Sequence, residues 1–317
     1  MAPVVFEQPE FGDHALLDSG AGEKLERLGP VVLRRPDPQA LWTPRLGPEA
    51  WAAAHLTFER DPASGGKRGR WRLGRDAPPE ARGPEPQWPV RWRDASFIVR
   101  PTPFKHVGLF PEQAANWDWI GRVRPHLDAP GGAAPRLLNL FGYTGAASIV
   151  AAQAGFEVTH VDASKTSLAW TRENASASGL GANGLRVLLE DALVFCRREL
   201  RRKSSYAGIV MDPPHHGRGP KGETWQFEEG IAELVSAAGA LLRPTGFLVL
   251  SSYAFGTSPL TLAGLLADLE GGSVEAGELA LGESAQSSGS SGKRALRSLS
   301  CGFCARFTRG LTLEPRP

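Results

Sequence analysis

Asp162, Asp191 and Asp212 each close a short apolar run, and a further run, Leu137-Leu138-Asn139-Leu140, opens into the glycine-bounded turn Phe141-Gly142-Tyr143-Thr144-Gly145. Carboxylates that recur at chain turns in this way accept hydrogen bonds from hydroxyl and amine groups of a ligand. Asp162 follows Gly142 by 20 residues, the distance at which an acid receives both ribose hydroxyls of a nucleoside. That spacing fits a nicotinamide dinucleotide as well. The turn lacks the G-x-G-x-x-G pattern that lets backbone approach a pyrophosphate, so it better serves a ligand without phosphates. Asp191 followed by Ala192 suits an adenine amine with an apolar wall against the ring. Adenosine without pyrophosphate points to S-adenosylmethionine. Taken singly, each acid is also a common helix N-cap; three in series favour the ligand.

Asp212-Pro213-Pro214-His215 is the most specific of these signals. The prolines hold an extended, rigid loop whose carbonyls are not spent on a helix. An acid beside a bared carbonyl positions an acceptor against a methyl group. Methyl transfer is an in-line displacement from a sulfonium, so positioning and electrostatics supply most of the catalysis.

These turns must be brought to one edge, and the chain alternates strand and helix to do so. Strands are expected at 136–140, 157–162, 185–191, 206–212 and 247–252, with helices at 165–178, 192–202 and 228–242 between them. Such alternation predicts an α/β fold with a doubly wound, Rossmann-like parallel sheet, whose ligands sit at the carboxyl ends of the strands. Pro244-Thr245-Gly246 reads as the turn into the fifth strand, and 279–281 with 299–307 as an antiparallel pair joined by the Ser/Gly-rich loop 283–294. Pro111 is well placed to start a helix running through Trp117, Trp119 and Ile120. Before it, short runs at 29–36, 54–60, 69–74, 87–93 and 96–100 are bounded by Gly or Pro and predict a smaller β-rich domain. The domain reading is 1–104 for this accessory, RNA-binding part and 105–317 for the α/β part.

Composition narrows the class only a little. The 317 residues are 41% hydrophobic and 22% charged, ordinary for a globular protein. No apolar run approaches the roughly 18 residues that cross a bilayer, and the first residues lack a basic-then-apolar signal. A cytoplasmic protein without a membrane partner is expected. Three cysteines are too few for a disulfide framework. A net charge of +2 permits a nucleic-acid partner without requiring one.

The run from Leu137 to Ser252 resembles the class I S-adenosylmethionine-dependent methyltransferases. Within them it is similar to the bacterial large-subunit ribosomal RNA family typified by the cytosine-5 enzyme. The likeness rests on Asn139-Leu140-Phe141-Gly142-Tyr143-Thr144-Gly145, Val161-Asp162-Ala163-Ser164, Asn174, Asp191-Ala192 and Met211-Asp212-Pro213-Pro214, with Gly108-Leu109-Phe110-Pro111-Glu112-Gln113 upstream. It implies that Phe110, Gln113, Asn139, Phe141, Gly142, Thr144, Gly145, Asp162, Ala163, Ser164, Asn174, Asp191, Ala192 and Asp212 line the cofactor site. It also implies that Asp212, Pro213, Pro214 and His215 act on the acceptor, a base of ribosomal RNA.

The chain departs from that family in two places that matter for the reaction; one is His215, where the family often carries Lys after Pro-Pro. Cytosine-5 chemistry needs a thiolate, and the family carries a Cys after the fifth strand where this chain reads Ser251-Ser252-Tyr253. Direct transfer is the reading that remains. Cys196, Cys301 and Cys304 read as packed residues, and His215-His216 lacks further ligands, so no metal is expected. The basic stretch 67–75 around Trp71 fits phosphates and a base, or a solvated hairpin with Trp71 turned inward. The basic helix 197–203 is open to the same two readings. Residues 217–222 read as a mobile lid with Arg218 and Lys221 on phosphates, and Trp225 and Phe227 as base-stacking or anchoring residues. An oxidoreductase with the same sheet, or a non-catalytic RNA-binding relative, are the alternatives.

Overall fold

The computed structural model describes residues 4–65, 68–127, 130–254, 256–284 and 296–313. They group into two units: Glu7–Ala114 with Ala280–Cys301, and Met1–Phe6 with Ala115–Leu279 and Gly302–Pro317. This differs from a single cut at 104/105, because the β-rich unit runs on to Ala114 and takes in a C-terminal segment. Local pattern hides that segment, since its partners are remote in sequence. Glu283 accepts from Ser19 Oγ at 2.7 Å and Arg45 Nη1 at 3.3 Å, while Leu281 and Leu299 pack with Leu16 and Ala40.

After β1 (Val4–Glu7), the β-rich unit forms a sheet ordered β2 (His14–Gly20), β3 (Glu23–Leu28), β4 (Val31–Pro36), β5 (Leu56–Arg60) and β6 (Gly69–Leu73). The parallel pair β4 and β5 is spanned by the short helix α1 (Pro48–Ala52). β7 (Trp88–Trp92) and β8 (Ala95–Val99) make a hairpin in which Trp88, Val90, Trp92, Phe97 and Val99 are buried at alternate positions.

In the other unit, α2 (Ala114–Val123) precedes β9 (Arg136–Leu140), α3 (Ala146–Gln153), β10 (Glu157–Asp162), α4 (Lys165–Ala177), β11 (Arg186–Leu189), α5 (Ala192–Arg201) and β12 (Tyr206–Met211). There follow β13 (His216–Arg218), β14 (Thr224–Gln226), α6 (Phe227–Leu241), β15 (Leu242–Ser252), α7 (Pro259–Ala267), β16 (Gly272–Gly282) and β17 (Ser298–Arg309). The sheet order is β1-β16-β17-β15-β12-β9-β10-β11. The strands from β15 to β11 pair in parallel, and β17 runs antiparallel to β15. β12 is buried at every position, as a parallel strand covered on both faces must be. The segment 244–246 belongs to β15 instead of a turn, accommodated by a register shift between Tyr206 and Gly208 of β12. β16 and β17 are neighbours as expected; of the loop between them, residues 285–295 lie outside the described residues.

From β9 the chain winds outward through β10 and β11, then crosses to the far side of β9 to lay down β12. Ligands bind at such a switch point. Register fixes what stands there: Leu250, Met211, Leu140, Val161 and Leu188 pair in a row across five strands. One residue beyond that row stand Ser251, Asp212, Phe141, Asp162 and Leu189.

Candidate active site

The turn after β9 adopts a conformation that most side chains avoid. Phe141 and Tyr143 have φ of 56° and 52°, and Gly145, which caps α3, has φ of 90°. Non-glycine residues held there cost about 1–3 kcal/mol each, so the surroundings must impose the shape. They do so from the backbone. Gly142 N–H donates to the Val161 carbonyl at 3.1 Å, Gly145 N–H to the Gly142 carbonyl at 3.0 Å, and Tyr143 N–H to Asp162 Oδ2 at 2.9 Å. A Cβ on Gly142 would lie 2.3 Å from the His160 ring, and one on Gly145 2.6 Å from Thr171 Cγ2.

A buried polar chain lies beneath the turn. Asn139 Nδ2 donates to Ser148 Oγ at 2.8 Å, which meets His160 Nδ1 at 2.9 Å; His160 Nε2 meets Thr171 Oγ1 at 3.3 Å, and Thr171 donates to the Tyr143 carbonyl at 2.8 Å. Asn174 Nδ2 donates to the Thr144 carbonyl at 2.9 Å. Burial, with Arg172 nearby, pushes His160 down to about 3, so the ring is neutral. A neutral imidazole has one donor and one acceptor nitrogen, and one proton arrangement from Asn139 to Tyr143 satisfies every link. Asn139, Thr144 and Asn174 are 3% exposed or less, so the structure sets them under the turn, shaping it. Ser148, His160 and Thr171 are not marked by the sequence pattern; the signal is a His buried inside strand 157–161 next to Thr159.

Asp162 ends β10 half-buried, accepting the Tyr143 N–H at 2.9 Å and the Ser164 N–H at 2.8 Å on separate oxygens. Burial pushes its carboxyl above the ordinary range, and the two backbone bonds oppose that. Each carboxylate oxygen carries two lone pairs, so the group retains acceptor capacity that fits the vicinal diol of a ribose. Ala163 is half-buried beside it, and exposed Ser164 caps α4 by accepting the Ser167 N–H at 3.1 Å. Asp191 caps α5 through Oδ1, which accepts the Val194 N–H at 3.0 Å, with Ala192 buried next to it. At this strand end the N-cap role is present in full.

Asp212 leaves β12 half-buried, followed by buried Pro213 and exposed Pro214. Two of the loop's carbonyls are engaged: Pro214 O accepts Trp225 Nε1–H at 2.7 Å, and His215 O accepts the Phe227 N–H at 2.9 Å. A bared carbonyl at Pro214 is therefore excluded. His215 Nε2 pairs with Glu228 Oε1 at 2.8 Å, and its ring stacks on His216 at 4.1 Å. The expected lid is a paired hairpin of β13 and β14, its turn tied by Gly219 N–H to Glu223 O at 2.8 Å and Lys221 N–H to Glu223 Oε2 at 2.9 Å. Trp225 and Phe227 are core residues, 6% and 3% exposed, and Trp225 meets the Phe141 ring at 5.1 Å. They anchor the loop.

Phe110 and Gln113 belong to the β-rich unit, half-buried, with Gln113 N–H on Phe110 O at 3.0 Å. Cys304 pairs in register with Ser251 but is fully buried, its thiol pushed up by burial and donating to Asn116 Oδ1 at 3.5 Å. Burial pushes Cys196 up to about 12. Cys301, half-buried in the β-rich unit, donates to Leu299 O at 3.5 Å. Ser252, where the family's nucleophile would stand, is buried and accepts the Ala254 N–H at 3.1 Å. In the basic stretch, Arg70 and Arg72 pair with Glu59 at 3.2 and 2.8 Å. Trp71 turns inward, edge-on to Phe58 and donating to Thr102 O at 2.8 Å; Lys67 lies outside the described residues. On α5, Arg197 pairs with Glu233 on the exposed face, while Arg198 pairs with the largely buried Glu190 and Arg202 with the buried Glu199. Among the described residues no cluster of three or more His, Cys, Asp or Glu is arranged for a metal, and no helix is long and apolar enough to cross a membrane.

No family model matches the chain. Among solved structures, an S-adenosylmethionine-dependent methyltransferase from Agrobacterium tumefaciens is 38% identical, with a TM-score of 0.86 over 97% of this chain and 94% of that one. A structure complexed with S-adenosylhomocysteine shares the fold at 18% identity, with a TM-score of 0.66 over 95% of this chain and 76% of that one. Among curated proteins, the ribosomal RNA large subunit methyltransferase K/L of Shewanella frigidimarina is 31% identical over 160 residues, 50% of this chain and 21% of that protein. Its Desulfotalea psychrophila counterpart is 31% identical over 165 residues. The chain spans about a fifth of the length of these curated relatives.

Proposed function

The chain belongs to the S-adenosylmethionine-dependent methyltransferases, and from that premise we propose that it methylates a base of ribosomal RNA by direct transfer at the Asp212-Pro213-Pro214 loop. The observation that carries this reading is the register across the sheet. Asp162 and Asp212 stand one strand to either side of the glycine turn, roughly 10 Å apart at about 4.8 Å per strand. When bound, S-adenosylmethionine supplies an electrophilic methyl group on a sulfonium.

The chain's own residues do the rest. Asp162 receives the ribose hydroxyls, while the bedded turn holds the adenosine end in one place. Asp212 accepts an N–H of the base, keeps the nitrogen lone pair turned toward the glycine turn, and takes the proton that the nitrogen sheds on methylation. The two prolines fix Asp212 before the acceptor arrives, so little orientational entropy is lost in the reacting complex. The buried thiols and the serines closing β15 support direct transfer over a covalent cysteine route. Support for the ribosomal acceptor comes from the curated relatives. Family membership sets aside the oxidoreductase alternative, and methyl labelling separates the enzyme from a non-catalytic relative.

The test is methyl labelling of in vitro transcribed ribosomal RNA, followed by nucleoside mass spectrometry to name base and atom. Asp212→Ala is expected to cut labelling by about 10²–10³-fold while calorimetric cofactor affinity stays within about threefold. Labelled product from Asp212→Ala at the native rate overturns the loop assignment. No label from the native enzyme overturns the RNA acceptor.

A further inference from the structure

An RNA base presented to Asp212 stays tied to its own backbone, so the phosphates flanking it arrive at the rim of the acceptor loop. The ribbon that follows the loop is what they meet there. Pairing of β13 with β14 sets His216 against Gln226, Gly217 against Trp225 and Arg218 against Thr224. Side chains alternate across such a ribbon, and burial follows the alternation. Trp225 goes into the core, while His216, Arg218 and Thr224 are exposed on the opposite face. Lys221 is exposed in the turn between the two strands.

The ribbon is fastened to the loop. Trp225 Nε1–H donates to Pro214 O at 2.7 Å and the Phe227 N–H to His215 O at 2.9 Å. Asp212 lies two residues before Pro214, at most about 7 Å away. The acids nearby are already engaged. Glu223, the ribbon's one acid, accepts the Lys221 N–H on Oε2 at 2.9 Å inside the turn, and Glu228 pairs with His215 at 2.8 Å. On α5, Arg197, Arg198 and Arg202 each hold a carboxylate. Among the described residues, Arg218 has no carboxylate within ion-pair distance.

We infer that the outer face of the β13–β14 ribbon, with Arg218 at its centre and Lys221 at its turn, docks the phosphate backbone flanking the acceptor base, an assignment that rests on the proposed RNA acceptor. An exposed arginine with no carboxylate to leave gives up little on meeting a phosphate, and its planar fork matches the phosphate oxygens. Thr224 adds a hydroxyl donor on the same face.

Equilibrium binding of in vitro transcribed ribosomal RNA over a series of salt concentrations tests it. Each phosphate contact on a single strand contributes about 0.7 to the slope of log affinity against log salt. Arg218→Gln should reduce that slope by about 0.7, and Arg218→Gln combined with Lys221→Gln by about 1.4. The double variant should bind RNA on the order of tenfold more weakly at about 0.1 M salt, with calorimetric cofactor affinity unchanged. Arg218→Lys, which keeps the charge, should keep the native slope. Arg197→Gln, which removes a carboxylate-paired arginine from α5, should leave the slope native as well. A native slope in the double variant, or weaker binding without a change of slope, overturns the docking surface and leaves the acceptor reading standing. So does an Arg197→Gln loss as large as that of Arg218→Gln. A native enzyme that labels no RNA overturns both.

Discussion

The glycine turn proposed to receive the cofactor and the Asp212 loop proposed to face the acceptor leave adjacent strands, β9 and β12, yet they are held by different means. Beneath the turn, side chains of β9, β10, α3 and α4 form one continuous buried chain through Ser148, His160 and Thr171, and each link fixes a backbone atom or the next side chain. The acceptor loop is held by its own sequel: the hairpin folds back and Trp225 clips Pro214. The first arrangement leaves no room to change shape without breaking several hydrogen bonds together. The second can vary in its exposed residues while the buried Trp225 stays. A scaffold of this kind can keep one cofactor and change acceptors.

Two glycines put that contrast to the test with the same substitution. Gly142→Ala drives a methyl group to within 2.3 Å of the His160 ring, and the buried chain has no slack to absorb it. We expect a loss of about 3 kcal/mol in unfolding free energy, with weaker cofactor binding. In the hairpin, a Cβ on Gly217 would meet its nearest neighbour, Pro214 Cγ, at 3.5 Å, an ordinary contact. Gly217→Ala should fall within about 0.5 kcal/mol of the native protein. Denaturant midpoints measure both, and equal losses would show the two halves to be alike.

The pH dependence of stability sharpens the same point. His160 titrates near 3 when folded against 6.5 for the free side chain. Above pH 6.5 it is neutral in both states and contributes no slope. As pH falls below that value the unfolded chain takes up a proton that the native one refuses, so stability drops by up to about 1.4 kcal/mol per pH unit until pH 3. At pH 5 this amounts to about 2 kcal/mol. His160→Asn should be less stable at neutral pH but lose less between pH 6.5 and 5 than the native protein does. Parallel curves would mean that the bedding does not depend on a neutral ring.

Much of the sheet and of the turn after β9 was legible because its signals are local. A strand ending in a glycine turn and an acid 20 residues on are written in consecutive residues, and so is Asp-Pro-Pro. Alternating strands and helices likewise announce a parallel sheet. What escaped depends on partners remote in sequence. His160 is one of several polar residues in its strand until Ser148 and Thr171 are seen at either nitrogen. Trp225 is an aromatic near a loop until its indole N–H is found on Pro214. The C-terminal segment of the β-rich unit is invisible for the same reason, since Glu283 and Ser19 are brought together by the fold alone.

The third strand end tests how far the bedded half extends. Asp191 spends Oδ1 on the N-cap of α5, and a cap of this kind is worth about 1 kcal/mol. Asparagine keeps an oxygen in the same place and caps equally well, but it lacks the charge and offers fewer acceptor sites to an adenine amine. Asp191→Ala should therefore lose about 1 kcal/mol of stability together with cofactor affinity. Asp191→Asn should keep stability within about 0.3 kcal/mol and weaken cofactor binding severalfold in calorimetry. Native affinity in the asparagine variant would confine Asp191 to the helix, leaving Asp162 and the glycine turn to hold the adenosine without it.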